Sequence, residues 1–379
     1  MILSRTFALL LCAAVLTACS TTESDKVSEK PASLTNYTPT AKIDTRWHFR
    51  VGDNVNNQLT PAVTRDGVFA ANGDGKIFKL DPVTGKLQWK MDSGFTISAG
   101  VGVGADMVFV GGLKGQLAAY QADDGKLLWN VRVSSEVTGA PRIANGIVAV
   151  RTGDGRITGL NANDGSRRWL YERATPTLIA RNTSGLVIRN GVIYAGFPAG
   201  KLAAINLDNG IIIWESSVST PRGTTELERI SDITSLPVVD DKQVCAVAFQ
   251  GRLACFEDER GGTLWTRDFS SDKGMTLSRR YLYLTDSNGV VMALDKLSGN
   301  TLWKSEALRL RGVSAPFASD THIVAADDDG YLHVFGKEDG QLMARLRTDG
   351  SEIISTPIPL EDGLLVQTAK GELYSLVIH

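Results

Sequence analysis

The stretch PAVTRDGVFAANGDGKIFKLDPVTGKLQW, residues 61–89, decides the fold. It carries a short apolar strand, Gly67-Val68-Phe69-Ala70-Ala71, a turn at Asn72-Gly73-Asp74-Gly75, and a further strand, Lys76-Ile77-Phe78-Lys79-Leu80. Asp81-Pro82-Val83-Thr84-Gly85 turns the chain again before Lys86-Leu87-Gln88-Trp89. Short strands that alternate in polarity and are separated by Gly-containing turns predict a single four-stranded antiparallel sheet.

The unit recurs along the chain. Its closing tryptophan returns at Trp129, Trp169, Trp214, Trp265 and Trp303, and the equivalent place after Asp339-Gly340 falls at Met343-Ala344, without a tryptophan. Counted from Trp47, the spacings are 42, 40, 40, 45, 51, 38 and about 41 residues. A period near 41 with four strands per unit predicts an all-β chain, a β-propeller. Each tryptophan is expected to fill the wedge between neighbouring blades. Trp47 lies on a lone strand ahead of the first complete unit, and the chain ends on three strands near 355–358, 364–368 and 372–378. The N-terminal strand is therefore expected to complete the last blade, which closes the ring at eight four-stranded antiparallel blades and removes a sheet edge.

Composition narrows function by exclusion. Forty basic residues against 42 acidic ones leave a net charge of −2, which argues against a nucleic-acid binder that must replace phosphate counterions. Four scattered histidines make a His-rich metal site a poor expectation. The sequence picks out no catalytic carboxylate cluster, so no catalytic residue, metal or cofactor is assigned.

The N-terminus reads as an export signal. Arg5 precedes an apolar run from Phe7 to Leu16, too short to span a bilayer, which takes about 20 apolar residues. Leu16-Thr17-Ala18-Cys19 matches the bacterial lipobox. Residues 1–18 are then a lipoprotein signal peptide, and Cys19 is the lipidated mature N-terminus. Ser20 at the next position points to the periplasmic face of the outer membrane. Residues 19–44, rich in Ser, Thr, Lys, Glu and Pro, read as a flexible tether, and 45–379 as the propeller.

The repeat breaks its period twice in succession, in the units of 45 and 51 residues. The extra residues fall at about 173–185 and 217–235, in connections from an outer strand to the next inner strand, so both loops should emerge as neighbours on one face. Long loops on a rigid scaffold are where binding concentrates. The first contains Leu178, Ile179 and Arg181; the second contains Glu228, Arg229 and Asp232. Apolar anchors beside Arg and acidic groups suit a protein interface.

Three weaker patterns are read structurally. Gly100-x-Gly102-x-Gly104 lacks the helix a phosphate site needs and reads as close strand packing. Asp327-Asp328-Asp329-Gly330 lacks calcium-loop spacing and reads as a solvated turn. Cys245 and Cys255 lie on consecutive strands, nearly equidistant from Gln250-Gly251; a disulfide and two free thiols both remain open.

Asp81-x-x-Thr84-Gly85-Lys86-x-x-Trp89 resembles the repeat of quinoprotein dehydrogenases, which implies a periplasmic pyrroloquinoline-quinone oxidoreductase as the alternative function. Those enzymes carry adjacent cysteines and a calcium site that have no counterpart here. The whole arrangement of lipobox, tether, eight blades and two long loops more closely resembles the BamB family of outer-membrane lipoproteins. That resemblance implies a non-catalytic scaffold of the β-barrel assembly machinery, which binds the POTRA domains of BamA and assists insertion of barrel proteins, with unfolded outer-membrane proteins as a second candidate partner. The family's leucine–arginine element matches at Leu178 and Arg181, with Ala180 in place of a second leucine. Its acidic pair matches at Asp232, with Thr234 in the second position. On this reading Arg181→Glu and Asp232→Arg are both expected to weaken POTRA binding and leave the fold intact.

Overall fold

Eight separate four-stranded antiparallel sheets form the ring among the residues that the computed structural model describes, which are 30–52, 59–174, 176, 178–180, 185–353 and 355–379. Cys19 with the signal peptide, and Arg181, lie outside them. Blades one to seven span 62–92, 102–132, 142–171, 187–217, 238–268, 275–305 and 317–347. Blade eight combines strands within 358–378 with Ile43–Arg50 as its outer strand. That strand pairs antiparallel with Glu372–Ile378, from Ile43 opposite Ile378 to Arg50 opposite Glu372. The closure and blade count expected from the tryptophan spacing are those observed.

Middle strands are buried on both faces, as in Gly67–Ala71 and Ile147–Arg151. A blade is covered only by its neighbours, so its second and third strands read as continuous apolar runs. The clusters that result cross blade boundaries: Ile147, Ile157 and Trp169 of blade three pack with Ile193, Phe197 and Ile205 of blade four.

All seven tryptophans do the same thing. Each sits on an outer strand and donates its indole N–H to a backbone carbonyl at the turn before the next blade's outer strand. Trp47 reaches Pro82 at 3.1 Å, Trp89 Ala122 at 3.1 Å and Trp129 Ala162 at 2.7 Å. Trp169 reaches Leu207 at 2.8 Å, Trp214 Asp258 at 2.8 Å, Trp265 Lys296 at 3.0 Å and Trp303 Lys337 at 3.0 Å. The receiving turn is built to take the ring, as Asp81-x-x-Thr84-Gly85 shows in the first blade. Asp81 Oδ1 accepts the N–H of Thr84 at 2.7 Å and of Val83 at 3.1 Å, bonds that hold its carboxyl below the ordinary carboxylate range. The turn glycine then lies under the indole: Gly165 has φ +73°, and a Cβ there would come within 2.8 Å of the Trp129 ring. Glycine is required on both counts.

The aim of each tryptophan comes from a one-residue β-bulge that sequence periodicity does not reveal. In every blade the register slips at the residue before the tryptophan position, as between Leu160–Arg167 and Gly159–Trp169, and between Thr45 and Trp47 in the last blade. A bulge bends the strand and re-aims the next side chain. It also turns its own residue outward, so Leu128, Ile213, Leu264 and Leu302 are exposed.

Ala344 occupies the eighth tryptophan position, opposite Val334. The receiving turn is absent there because blade eight's third and fourth strands come from the two ends of the chain. Lys42 and His379 instead exchange backbone bonds of 3.0 and 2.8 Å. Ala344 packs in one cluster with Ile43, Ala41 and Ile378. Residues 32–42, read from sequence as the end of the tether, bond to the propeller through several backbone groups, and the outer strand begins at Ile43.

The other sequence patterns resolve as follows. Cβ atoms at Gly100 and Gly102 would meet Thr60 Oγ1 at 2.2 Å and the Pro141 carbonyl at 2.1 Å, so these glycines serve close packing. Asp327-Asp328-Asp329-Gly330 departs from the expected solvated turn: Asp327 is fully buried and bonded to Arg311 and His333. The buried partners lie on a preceding loop and the following strand, which a local reading of the turn does not include. Cys245 and Cys255 are directly opposite across their hairpin, with Cα atoms 4.1 Å apart, and form a disulfide.

Two measurements test this architecture. Trp129→Phe keeps an aromatic ring but orphans the Ala162 carbonyl, and is expected to lower unfolding free energy by about 1–2 kcal/mol in denaturant titration. An unchanged midpoint would remove the indole bond as a stabilising element. The disulfide closes a short loop, for which chain entropy gives about 2–3 kcal/mol. Intact mass should rise by two hydrogens on reduction, with a matching loss of stability.

Candidate functional site

The two long connections, 172–186 and 218–237, leave the ring on one rim, as their strand directions require. Both also line a cavity of about 590 Å³ at that end of the ring axis, through Ala180, Gly185, Thr234 and Leu236. Gly139 and Gly185 nearly touch there, and Leu236 lies against Gly185, so the connections before blades three, four and five meet at this mouth.

The second connection has a buried stem and an exposed tip. Val218 and Ser219 are buried, as are Ile230, Ser231, Asp232 and Ile233. Ile233 packs over Gly196, where a Cβ would come within 2.2 Å of its side chain. Phe249 N–H donates to the Asp232 carbonyl at 2.8 Å, which fixes the stem to blade five. Between the stem halves, residues 222–229 are exposed and contain one helical turn, with Arg229 N–H donating to Thr225 C=O at 3.2 Å.

That turn is held by a reciprocal capping box. Glu228 N–H donates to Thr225 Oγ1 at 3.2 Å, and Glu228 Oε2 accepts the N–H of Thr225 at 3.1 Å and of Thr224 at 2.8 Å. These donors, Thr225 first, draw the Glu228 carboxyl below its ordinary value. Glu228 thus shapes the tip, whose outward side chains include Leu227 at 65% exposure and Arg229.

Asp232 joins the two loops. Its carboxylate is 2% exposed; Oδ2 accepts the Ala180 N–H of the first loop at 2.7 Å, and Oδ1 accepts the Ala199 N–H of blade four at 2.9 Å. Sequence reading placed Asp232 among partner-facing residues and expected Asp232→Arg to leave the fold intact. Its burial gives it an internal role, and a guanidinium there would break both bonds and have no room. The first loop is tied at its base by Arg173, whose guanidinium pairs with Glu215 and stacks over Phe197 at 5.6 Å. Leu178 then stands 44% exposed, with Ile179 half-buried behind it.

The structure therefore brings Leu178, Ile179, Glu228, Arg229 and Asp232 onto one rim, with Leu178, Glu228 and Arg229 exposed, the Glu228 carboxylate turned back onto its own cap, and Ile179 and Asp232 half-buried and buried. Leu227 and Leu236, absent from the sequence-based site, add exposed apolar surface there. The Thr225-x-x-Glu228 spacing was the signal for the tip, since a capping box that encloses Leu227 predicts a helical turn.

Comparison with known proteins agrees with this architecture. A family model described as outer membrane protein assembly factor BamB matches residues 73–305 and 287–379. Proteins named outer membrane protein assembly factor BamB from Bordetella pertussis and Pseudomonas aeruginosa are 38% and 40% identical, over 94% and 98% of this chain and 93% and 98% of their own lengths. One from Kangiella koreensis is 41% identical over 98% of this chain and 96% of its own. The crystal structure of BamB from Moraxella catarrhalis superimposes with a TM-score of 0.82 at 25% identity, covering 89% of this chain and 100% of that one. Quinohemoprotein alcohol dehydrogenase from Comamonas testosteroni shares the ring alone, with a TM-score of 0.73 at 14% identity over 88% of this chain and 76% of its own. With repeat, closure, long loops and full-length relatives in agreement, the chain belongs to the BamB family of outer membrane protein assembly factors.

Proposed function

We propose that this protein is a non-catalytic scaffold, anchored through a lipidated Cys19 to the periplasmic face of the outer membrane, that binds the POTRA domains of BamA during β-barrel assembly. The observation that carries the reading is the pairing of two consecutive long connections on one rim, locked together by buried Asp232, with Leu178 and Leu227 exposed above it. Apolar side chains held on a rigid base lose little entropy on docking, which suits them as anchors beside Arg229. A folded domain with an apolar groove and an acidic margin is the complementary partner.

Titration of the purified chain with isolated POTRA domains tests this. Leu178→Asp with Leu227→Asp is expected to weaken binding at least tenfold, about 1.4 kcal/mol, and Arg181→Glu to weaken it as well, all with unchanged thermal midpoints. Full affinity in these variants would overturn the assignment. Asp232→Ala should act differently: it orphans two backbone donors, lowers stability by about 1–3 kcal/mol, and speeds proteolysis within 172–186. Loss of binding without that local loosening would return Asp232 to the contact surface.

A further inference from the structure

Ahead of the outer strand of blade eight, residues 32–41 run along the outer edge of blade seven. At one end, Thr40 and Ala41 N–H both donate to the Met343 carbonyl, at 3.1 and 3.3 Å. Met343 is the bulged residue of that strand, so its carbonyl is off the ladder. Midway, Arg345 donates from Nη2 to the Thr35 carbonyl at 3.1 Å, and its guanidinium lies 5.1 Å from the centre of the Tyr37 ring. At the far end, Ala32 N–H donates to Arg309 C=O at 2.9 Å, and Arg311 Nη1 donates to Ala32 C=O at 3.1 Å.

The two arginines are held from inside the blade by one connected network. Arg311 Nε donates to Asp327 at 2.8 Å, and Asp327 lies 3.0 Å from His333 Nε2. Arg345 Nε donates to His333 Nδ1 at 3.3 Å. Arginine cannot accept a hydrogen bond, so His333 is neutral with its proton on Nε2, directed at Asp327. Asp327 and His333 are both fully buried. The bonds run from Thr35 through Arg345, His333, Asp327 and Arg311 to Ala32, and thus hold the segment at two points, Ala32 and Thr35.

The direction of this path has a consequence. Ala41 lies at the rim that carries the turns before the outer strands. Ala32 lies at the opposite rim, against the connection 306–316, which is equivalent to the two long loops. We propose that the edge of blade seven is a docking site for the chain's own residues 32–41, and that it makes the leader leave the ring at the loop-bearing rim. It thereby turns that rim, with Leu178 and Leu227, toward the bilayer. This rests on the anchoring at Cys19 proposed above. Undocked, 24 residues would separate Cys19 from Ile43, a maximum reach of about 80 Å; docking leaves 13 from Cys19 to Ala32 and about 45 Å. Effective concentration falls roughly as the −3/2 power of linker length, so docking raises that of the rim near a membrane-held partner about 2.5-fold.

The test uses the full lipidated chain on fluorescent-acceptor vesicles, with a donor dye at Leu113→Cys on the loop-bearing rim or at Leu297→Cys on the opposite one. Both positions are exposed, and Cys245 and Cys255 are bridged. Energy transfer should be stronger from position 113. Tyr37→Ala with Thr40→Pro, confined to the docked segment, should abolish the difference and speed proteolysis within 32–41 about tenfold. Equal or stronger transfer from position 297 on vesicle-bound protein, or unchanged proteolysis of the double variant, overturns the proposal. Failure of the chain to float with vesicles overturns the anchor reading and this proposal with it, while unchanged proteolysis with normal flotation overturns the docking alone.

Discussion

The indole N–H that each outer strand lends to its neighbour's turn is the interaction on which the ring depends. No strand of one blade joins the sheet of the next among the described residues, so blades associate through side-chain packing, these directed bonds and scattered contacts such as Val101 N–H to Thr60 C=O at 3.0 Å and the Arg173–Glu215 pair. Packing alone is non-directional and would tolerate sliding of one twisted sheet over another. A buried indole donor with one acceptor in reach does not, because displacement leaves both groups unpaired at a cost of about 1–3 kcal/mol. Three features must coincide at each junction: a bulge to aim the ring, a turn carbonyl to receive it, and a glycine to admit it. Their coincidence explains why the turn glycine and the tryptophan survive as the visible repeat while the other turn residues and the inner strands vary.

The same constraint accounts for the exception. Blade seven faces a junction where the two chain ends meet, so no covalent turn offers an acceptor. A tryptophan there would bury an N–H without a partner. Ala344 accepts the packing of Ile43, Ala41 and Ile378 instead. The bulge is nevertheless retained at Met343, and its free carbonyl takes the backbone of Thr40 and Ala41. The seam is thus closed twice: by strand pairing inside the blade and by the N-terminal segment along its neighbour's edge.

Nearly all of the ring was legible in the sequence because it repeats. Trp47 counted the blades, and a period of four strands left one architecture. What was not legible is what depends on contacts between distant segments. Asp232 reads as a surface acid in an irregular loop; only the proximity of Ala180 and Ala199, brought in by blade four, makes it a buried junction. Asp327 reads as one of three solvated acids, yet Arg311 and His333 close over it from either side. Residues 32–42 have the composition of a tether, and their order comes from arginines some 300 positions away. The bulges, too, leave no mark in a pattern read at period two, since each simply shifts the alternation by one residue.

The candidate site follows a different logic from the ring. A long loop that is ordered only on binding must surrender its conformational entropy at that moment, at roughly 1–2 kcal/mol per residue for the backbone. Here much of that ordering has already occurred. The stem of 218–237 is buried, Thr225 and Glu228 wind its tip into one turn, and Asp232 ties the neighbouring loop to it. Binding energy from Leu178 and Leu227 is then available for affinity instead of being consumed in folding the loops. The buried acid therefore contributes to recognition without touching a partner, by holding two apolar anchors on one rim before a partner arrives.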